Sequence, residues 1–287
     1  MAARPRTLWA AVAPVAVGGG LAEHHGFFAP APTLGALALT GTIQIATNLA
    51  NDYYDFVKGA DTEDRVGPTR VTQAGILTPA AVRNGMLVAL ACAACVGVWL
   101  TSIGGWPMAV VLALSLVCAV AYTGGPYPLG YNGLGDIFAF LFFGLVAVGG
   151  TVYLQDPSGW PGTDAFLAGA GVGALSTAIL VTNNLRDRHT DRAVGKRTLA
   201  VIWGAAAARA EYVACLSVAV AVPVVGWSCF GWPAASLGAL FAMAFAVRPL
   251  KLVLRARQPV ALVPALGATA GALAVYGALL AFGLAAG

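Results

Sequence analysis

Apolar residues in this chain come in long unbroken runs, and polar residues come in short islands between them. The runs have the length of membrane-crossing helices. Alternating apolar and polar positions, which a barrel wall requires, are absent. A backbone in lipid must satisfy its own hydrogen bonds, so the runs are predicted to be helices. The expected spans are 8–22, 33–50, 82–102, 106–123, 134–154, 165–183, 205–226, 234–250 and 260–284. The fold class is therefore all-α, a polytopic membrane protein of nine transmembrane helices forming one domain over 1–287.

Composition sharpens this reading. Of 287 residues, 59% are hydrophobic and 10% are charged, against about 25% charged in soluble domains. The 36 glycines suit close packing of spanning helices. The basic start Met1–Thr7 followed by an apolar run resembles a signal segment. Glu23-His24-His25 follows with no clear cleavage site, so the run is taken as a retained first span. Cys92 and Cys95 form a C-x-x-C inside an apolar run with no further ligand nearby, and are read as small packing residues.

Charge placement tests the span count. With the N-terminus in the cytoplasm, all 16 Lys and Arg fall on the cytoplasmic side, and the other side keeps Glu23, Asp156 and Asp164. That distribution follows the positive-inside rule. The net charge of +4 is accordingly a topology signal and not a nucleic-acid footprint. The long charged loops 51–81 and 184–204 and the turn-rich segment 124–133 share this side, so the chemistry is expected there.

Two of these islands repeat. Asn48-Leu-Ala-Asn51-Asp52-Tyr-Tyr-Asp55-Phe-Val-Lys58-Gly59 and Asn184-Leu-Arg-Asp187-Arg-His-Thr-Asp191-Arg-Ala-Val-Gly195 align at an offset of 136 residues, with four predicted spans between them. The chain is thus expected to hold two related four-helix halves, about 1–130 and 131–257, with a ninth helix at 260–284. Asn48, Asn51, Asp52 and Asp55 fall at i, i+3, i+4 and i+7, and Asn184, Asp187 and Asp191 at i, i+3 and i+7, each set on one helix face. Carboxylates near a membrane helix end are costly without compensating charge. A lone Asp-x-x-x-Asp is ordinarily a solvated pair, but the repetition in apolar surroundings points to hard cations. Two facing stripes suit two Mg²⁺ with a diphosphate between them. Lys58, Arg70 and Lys196 lie within or just beyond the repeats and supply donors for phosphate oxygens, or serve topology alone.

The paired motifs Asn48-x-x-Asn51-Asp52-x-x-Asp55-x-x-x-Gly59-x-Asp61 and Asn184-x-x-Asp187-x-x-x-Asp191-x-x-x-Gly195-Lys196 resemble those of the UbiA superfamily of intramembrane prenyltransferases. Within it, Arg4-Pro-Arg-Thr7, Asp61-Thr-Glu-Asp-Arg65 with Gly67-Pro68, Gly75, Tyr122-Thr-Gly-Gly-Pro-Tyr-Pro128, Gly133-Leu-Gly-Asp136 and Gly195-Lys-Arg-Thr198 look like the branch whose acceptor is 1,4-dihydroxy-2-naphthoate. The resemblance implies Mg²⁺-dependent transfer of a polyprenyl group from its diphosphate to that acceptor, with decarboxylation, in menaquinone biosynthesis. It implies a plasma-membrane location with the site facing the cytoplasm. By position, Asn48, Asp52 and Asp55 would hold one Mg²⁺, and Asp187 and Asp191 the other, assisted by Asn184. Asn51 and Asp61 complete the first motif, Asp61 beyond Gly59 and off the stripe.

In such a reaction Tyr53, Tyr122, Tyr127 and Phe138 are candidates to face a carbocation-like carbon, or are interfacial and packing aromatics. Arg70 or Lys58 would position the acceptor carboxylate, and Asp136 either lines the site or caps a helix. His189 points off the shared face of Asp187 and Asp191 and is read as solvated. Two alternatives stand beside this reading. One is another acceptor, such as 4-hydroxybenzoate. The other is a cation-coupled transporter, disfavoured because both stripes lie at one face rather than at mid-bilayer.

Overall fold

The computed structural model describes residues 4, 7–61, 66–67 and 70–287. These form eight helices and no strand among the described residues. We label them α1 (Trp9–His24), α2 (Pro30–Val57), α3 (Pro79–Ala121), α4 (Gly135–Gln155), α5 (Thr163–Ala193), α6 (Leu199–Cys229), α7 (Ala234–Arg255) and α8 (Pro259–Ala285). Helices α3 to α8 are each long and apolar enough to cross a membrane. Helix α1 has 16 residues, and α2 carries the first acidic stripe.

The count of eight differs from the nine predicted spans for a local reason. The predicted span 82–102 and all but the last two residues of 106–123 fall within α3, with no loop between them. At 43 residues α3 would be roughly 64 Å long if straight, twice a bilayer core. It is not straight. Gly105 has φ 63° and ψ −154°, outside helical geometry and in a region essentially reserved for glycine. The side chain of Leu112 then packs directly on Gly97. Those two residues would lie roughly 22 Å apart along an unbroken helix. The chain reverses at Gly105, and Leu100, Met108 and Leu112 meet in one cluster with Ala36 and Leu39 of α2.

Helix starts follow local chemistry. Thr78 Oγ1 accepts from the Ala81 N–H at 3.2 Å and Pro79 takes the first turn of α3. Helix α5 forms the centre of the bundle, with Ala165, Ala168, Val172, Leu175 and Ala178 all buried. Small residues set the closest approaches: Gly144 of α4 sits against Gly169 and Gly173 of α5, and Gly20 of α1 against the Ala281 backbone of α8. Cys92 and Cys95 are free and exposed on α3, so they belong to its outward face and not to internal packing. Helices α2 and α5 both run past their predicted ends at 50 and 183, to Val57 and Ala193, and so carry the acidic stripes as helix.

Candidate active site

The two stripes end in the same backbone device. After α2, the Ala60 N–H bonds to Asp55 O at 2.8 Å and the Gly59 N–H to Phe56 O at 3.0 Å. After α5, the Lys196 N–H bonds to Asp191 O at 2.8 Å and the Gly195 N–H to Arg192 O at 3.2 Å. Both are Schellman closures, with φ of 66° at Gly59 and 76° at Gly195. Each pair of corresponding residues lies 136 positions apart, so the repeated motif is repeated structure. The closure turns the chain sharply after the last acidic residue and leaves Lys58 and Lys196 beside it.

Asn48, Asp52 and Asp55 are buried, as are Asn184, Asp187 and Asp191. Each carboxylate has compensating donors. Asp52 accepts the backbone N–H groups of Val71 and Thr72 at 3.2 and 3.3 Å, which ties the 70–77 segment to α2. Asp55 accepts Arg70 Nη2 at 3.0 Å and the Tyr131 hydroxyl at 2.8 Å. Arg70 also faces Asp61, Nε to Oδ1 at 3.2 Å. On α5, the buried Arg186 grips Asp187 with two bonds, Nε to Oδ1 at 2.7 Å and Nη2 to Oδ2 at 2.6 Å, and Nη2 also reaches Asn183 Oδ1 at 2.7 Å. Lys196 Nζ stands 3.8 Å from Asp191 Oδ1. Asn184 Nδ2 is directed at both oxygens of buried Asp136, at 3.4 and 3.5 Å.

Tyr131 joins the two clusters. Lys58 Nζ lies 4.7 Å and Lys196 Nζ 5.1 Å from its ring centroid, so one lysine from each repeat contacts one ring. The Tyr131 phenol is pushed well above its ordinary pKa, chiefly by burial and then by the Asp55 charge, which keeps it a proton donor to Asp55. The Lys58 ammonium is held below its usual pKa, first by burial, with the like charge of Lys196 adding to the effect and Asp55 opposing it. Lys58 Nζ also donates to Thr123 O at 2.6 Å, and the Thr123 hydroxyl donates to Asn51 Oδ1 at 2.9 Å.

A cavity of about 250 Å³ runs inward from these clusters. Asn48, Asn51, Asp55, Arg70, Asn184 and Lys196 form its polar head. Leu39, Met108, Val111, Phe142, Val146 and Leu154 wall the apolar part. Arg4 and Thr7 line it as well, and Asn48 Nδ2 donates to Thr7 Oγ1 at 3.2 Å. Phe142 and Val146 stand on a π-helical turn, Leu141–Val146, a distortion that recurs at functional sites. The shape suits an amphiphile with an anionic head.

Of the residues predicted from sequence, the cavity thus gathers Asn48, Asn51, Asp55, Arg70, Asn184, Lys196, Tyr122 and Phe138. Asp52, Asp187 and Asp191 are not among its lining residues; Asp52 is turned to backbone N–H groups, and Asp187 and Asp191 face Arg186 and Lys196. Asp61 lies behind Arg70, and Asp136 is buried behind Asn184 rather than lining the cavity. Lys58 is outside the lining, on the Tyr131 ring. Tyr53 stacks edge-on against Tyr54 at 5.1 Å and does not line the cavity, and Tyr127 is 61% exposed. Pro5, Arg6, the 62–65 segment and Pro68 lie outside the described residues. The sequence motifs contain Thr7 and Thr123 but assign them no role in the site, and they mark neither Tyr131 nor Arg186 as part of it. The i, i+3 spacing of Asn183 and Arg186 was a signal for the last; no spacing marks Tyr131.

A helical membrane protein with an amphiphile-shaped cavity headed by two acidic helix ends is the class these features define. The chain belongs to the UbiA prenyltransferase family, whose model matches residues 11–262. It is 38% identical to the 1,4-dihydroxy-2-naphthoate octaprenyltransferase of Escherichia coli (strain K12), over 96% of this chain and 90% of that protein. The protein of the same name from Mycobacterium tuberculosis is also 38% identical, over 99% of this chain and 96% of its own length. The fold matches a UbiA homolog from Archaeoglobus fulgidus bound to DMAPP and Mg²⁺, with TM-score 0.66, 14% identity and 97% of each chain covered. The protein is an integral membrane prenyltransferase, and this sets aside the transporter reading.

Proposed function

We propose that this enzyme transfers a polyprenyl group from its diphosphate to 1,4-dihydroxy-2-naphthoate, giving the demethylmenaquinone skeleton. The observation that carries the reading is the cavity itself, polar where the two acidic helix ends meet and apolar beyond. The names of relatives 38% identical along nearly the whole chain support the acceptor. In the reaction the bond from the allylic carbon to diphosphate oxygen breaks, and a bond forms to the ring carbon that carries the carboxylate. That carboxylate leaves as CO₂, returning its electron pair to the ring.

The donor set fits Mg²⁺: hard oxygens, with one or two carboxylates per ion. Asn48, Asp52 and Asp55 would hold one ion, and Asn184, Asp187 and Asp191 a second. Bound Mg²⁺ neutralises the diphosphate as a leaving group. The chain supplies the rest. Arg70 is buried and its Nη1 has no hydrogen-bond partner among the described residues, which leaves a donor for a phosphate oxygen at the cavity head. Lys196 lines the same end and Lys58 stands next to it across Tyr131. The apolar wall excludes water from the allylic carbon. Tyr122 and Phe138 are the aromatic candidates among the cavity's lining residues to steady a carbocation-like carbon.

The same reading includes nine membrane crossings in two four-helix halves plus a last helix, with the N-terminus and the site on the cytoplasmic side of the plasma membrane. The reversal at Gly105 and the matched closures at Gly59 and Gly195 support it. The test is a panel of aromatic acceptors with one polyprenyl diphosphate. Dihydroxynaphthoate should be prenylated with stoichiometric CO₂ release, and divalent-ion removal should abolish the rate. Preferential prenylation of 4-hydroxybenzoate, or full activity in excess chelator, would refute the acceptor or the metal respectively.

A further inference from the structure

At the end of the bundle that carries the acidic stripes, a second crevice of about 40 Å³ opens between α5, α6 and the link from α7 to α8. It shares no lining residue with the main cavity. Its α5 residues, Leu185, Arg188 and His189, lie roughly a third of a turn around the helix from Asn184, Asp187 and Asp191. Arg188, Arg209 and Arg257 are all among its lining residues, and among the described residues no Asp or Glu lines it.

The crevice is held in place by backbone. Arg209 Nε donates to Val253 O at 3.0 Å and Nη2 to Ala256 O at 2.8 Å. These carbonyls belong to the end of α7, where the helix leaves its last acceptors without partners. One edge of the Arg209 fork is thereby fixed. Arg188 Nη2 stands 3.0 Å from His189 Nε2. None of the three arginines has a carboxylate partner among the described residues. Three like charges drawn to one small space repel unless an anion sits among them. Guanidinium forks match phosphate oxygens in particular. The crevice is small, which favours a single phosphoryl group over a ring-bearing ligand. The remaining wall is apolar, including Leu185, Pro259 and Leu262. Val260, next along the chain, is 59% exposed, so the rim borders the outward apolar surface of the bundle.

We infer that this crevice binds the phosphate group of an anionic membrane lipid, at a site separate from the substrate cavity. Phosphate chemistry is set by the three arginines, and the apolar rim selects a lipid over a free anion. Basic pockets between helix ends at a membrane surface are suited to such headgroups.

The experiment uses the full chain in detergent, titrated separately with phosphatidylglycerol, phosphatidylcholine and inorganic phosphate. Melting temperature and the mass of the intact complex are the readouts. Phosphatidylglycerol should bind one to one and raise the melting temperature, and the other two should do neither at equal concentration. The double variant Arg188→Gln/Arg257→Gln should weaken that binding roughly thirtyfold. Arg248→Gln/Lys251→Gln removes the same charge from exposed positions on α7 outside the crevice and should leave binding intact. Equal weakening by both pairs overturns the site in favour of diffuse surface charge. Undiminished binding in the Arg188/Arg257 variant also overturns it, and an equal shift with inorganic phosphate overturns the lipid assignment.

Discussion

Arg186 separates what the second acidic stripe does for folding from what it does for catalysis. Its side chain is 1% exposed and that of Asp187 is 7% exposed. Two hydrogen bonds join them at 2.7 and 2.6 Å, and a third ties Arg186 to Asn183. Arg186→Met keeps the bulk but leaves Asp187 charged and buried without the two bonds that Arg186 supplies. Removing one member of such a pair costs about 3–5 kcal/mol. At about 2 °C per kcal/mol for a chain of this size, the melting temperature in detergent should fall by roughly 6–10 °C. Mg²⁺ with a non-hydrolysable prenyl diphosphate analogue should recover part of that loss, since it supplies the missing positive charge. The double variant Arg186→Met/Asp187→Asn removes both charges together, and should melt close to the parent because no ion is left unpaired. Its prenylation rate should nonetheless be lost if Asp187 is a metal ligand. The assays are a thermal melt and an initial prenylation rate on the same samples. If Arg186→Met melts within about 2 °C of the parent, the pair is not the buried clamp described above. If the double variant keeps full rate, Asp187 is a structural anion only.

Asp55 and Asp191 occupy equivalent positions in the two repeats, so Asp55→Ala and Asp191→Ala should each slow turnover about 10²–10³-fold. Lys251→Ala, at an exposed position outside the cavity, should retain most of the rate, and comparable losses in all three by initial-rate assay would remove any special role for the stripes. Tyr131→Phe keeps the ring beneath Lys58 and Lys196 but deletes the hydroxyl bonded to Asp55. A bond to a charged group is worth about 1.5–3 kcal/mol, so Tyr131→Phe should reduce kcat/KM by roughly 10–100-fold, and Tyr131→Ala by more; an unchanged kcat/KM in Tyr131→Phe would contradict the coupling. Gly105→Ala places a Cβ at φ 63°, ψ −154°, and should cost about 1–3 kcal/mol, read as a lower melting temperature with little change in KM.

The helical membrane class, the repeat and the two acidic stripes were legible in the sequence because each is a local pattern. Apolar runs report solvent, and spacings of three, four and seven report a helix face. Gly59 and Gly195 were recognisable as helix ends for the same reason: a chain that must turn with positive φ favours glycine. Only the tertiary structure decided how these parts face one another. The reversal of α3 takes place at one glycine with no polar loop, so no composition change marks it. The partners of the carboxylates come from distant positions: Tyr131 reaches Asp55 across 76 residues, and Asp136 reaches Asn184 across 48. Arg186 looked like one more topology charge until packing buried it against Asp187. Local pattern depends on neighbours within about two helical turns, which the sequence contains. The head of the cavity depends on which turns and loops the bundle brings together, and that is settled by packing between helices far apart in the chain.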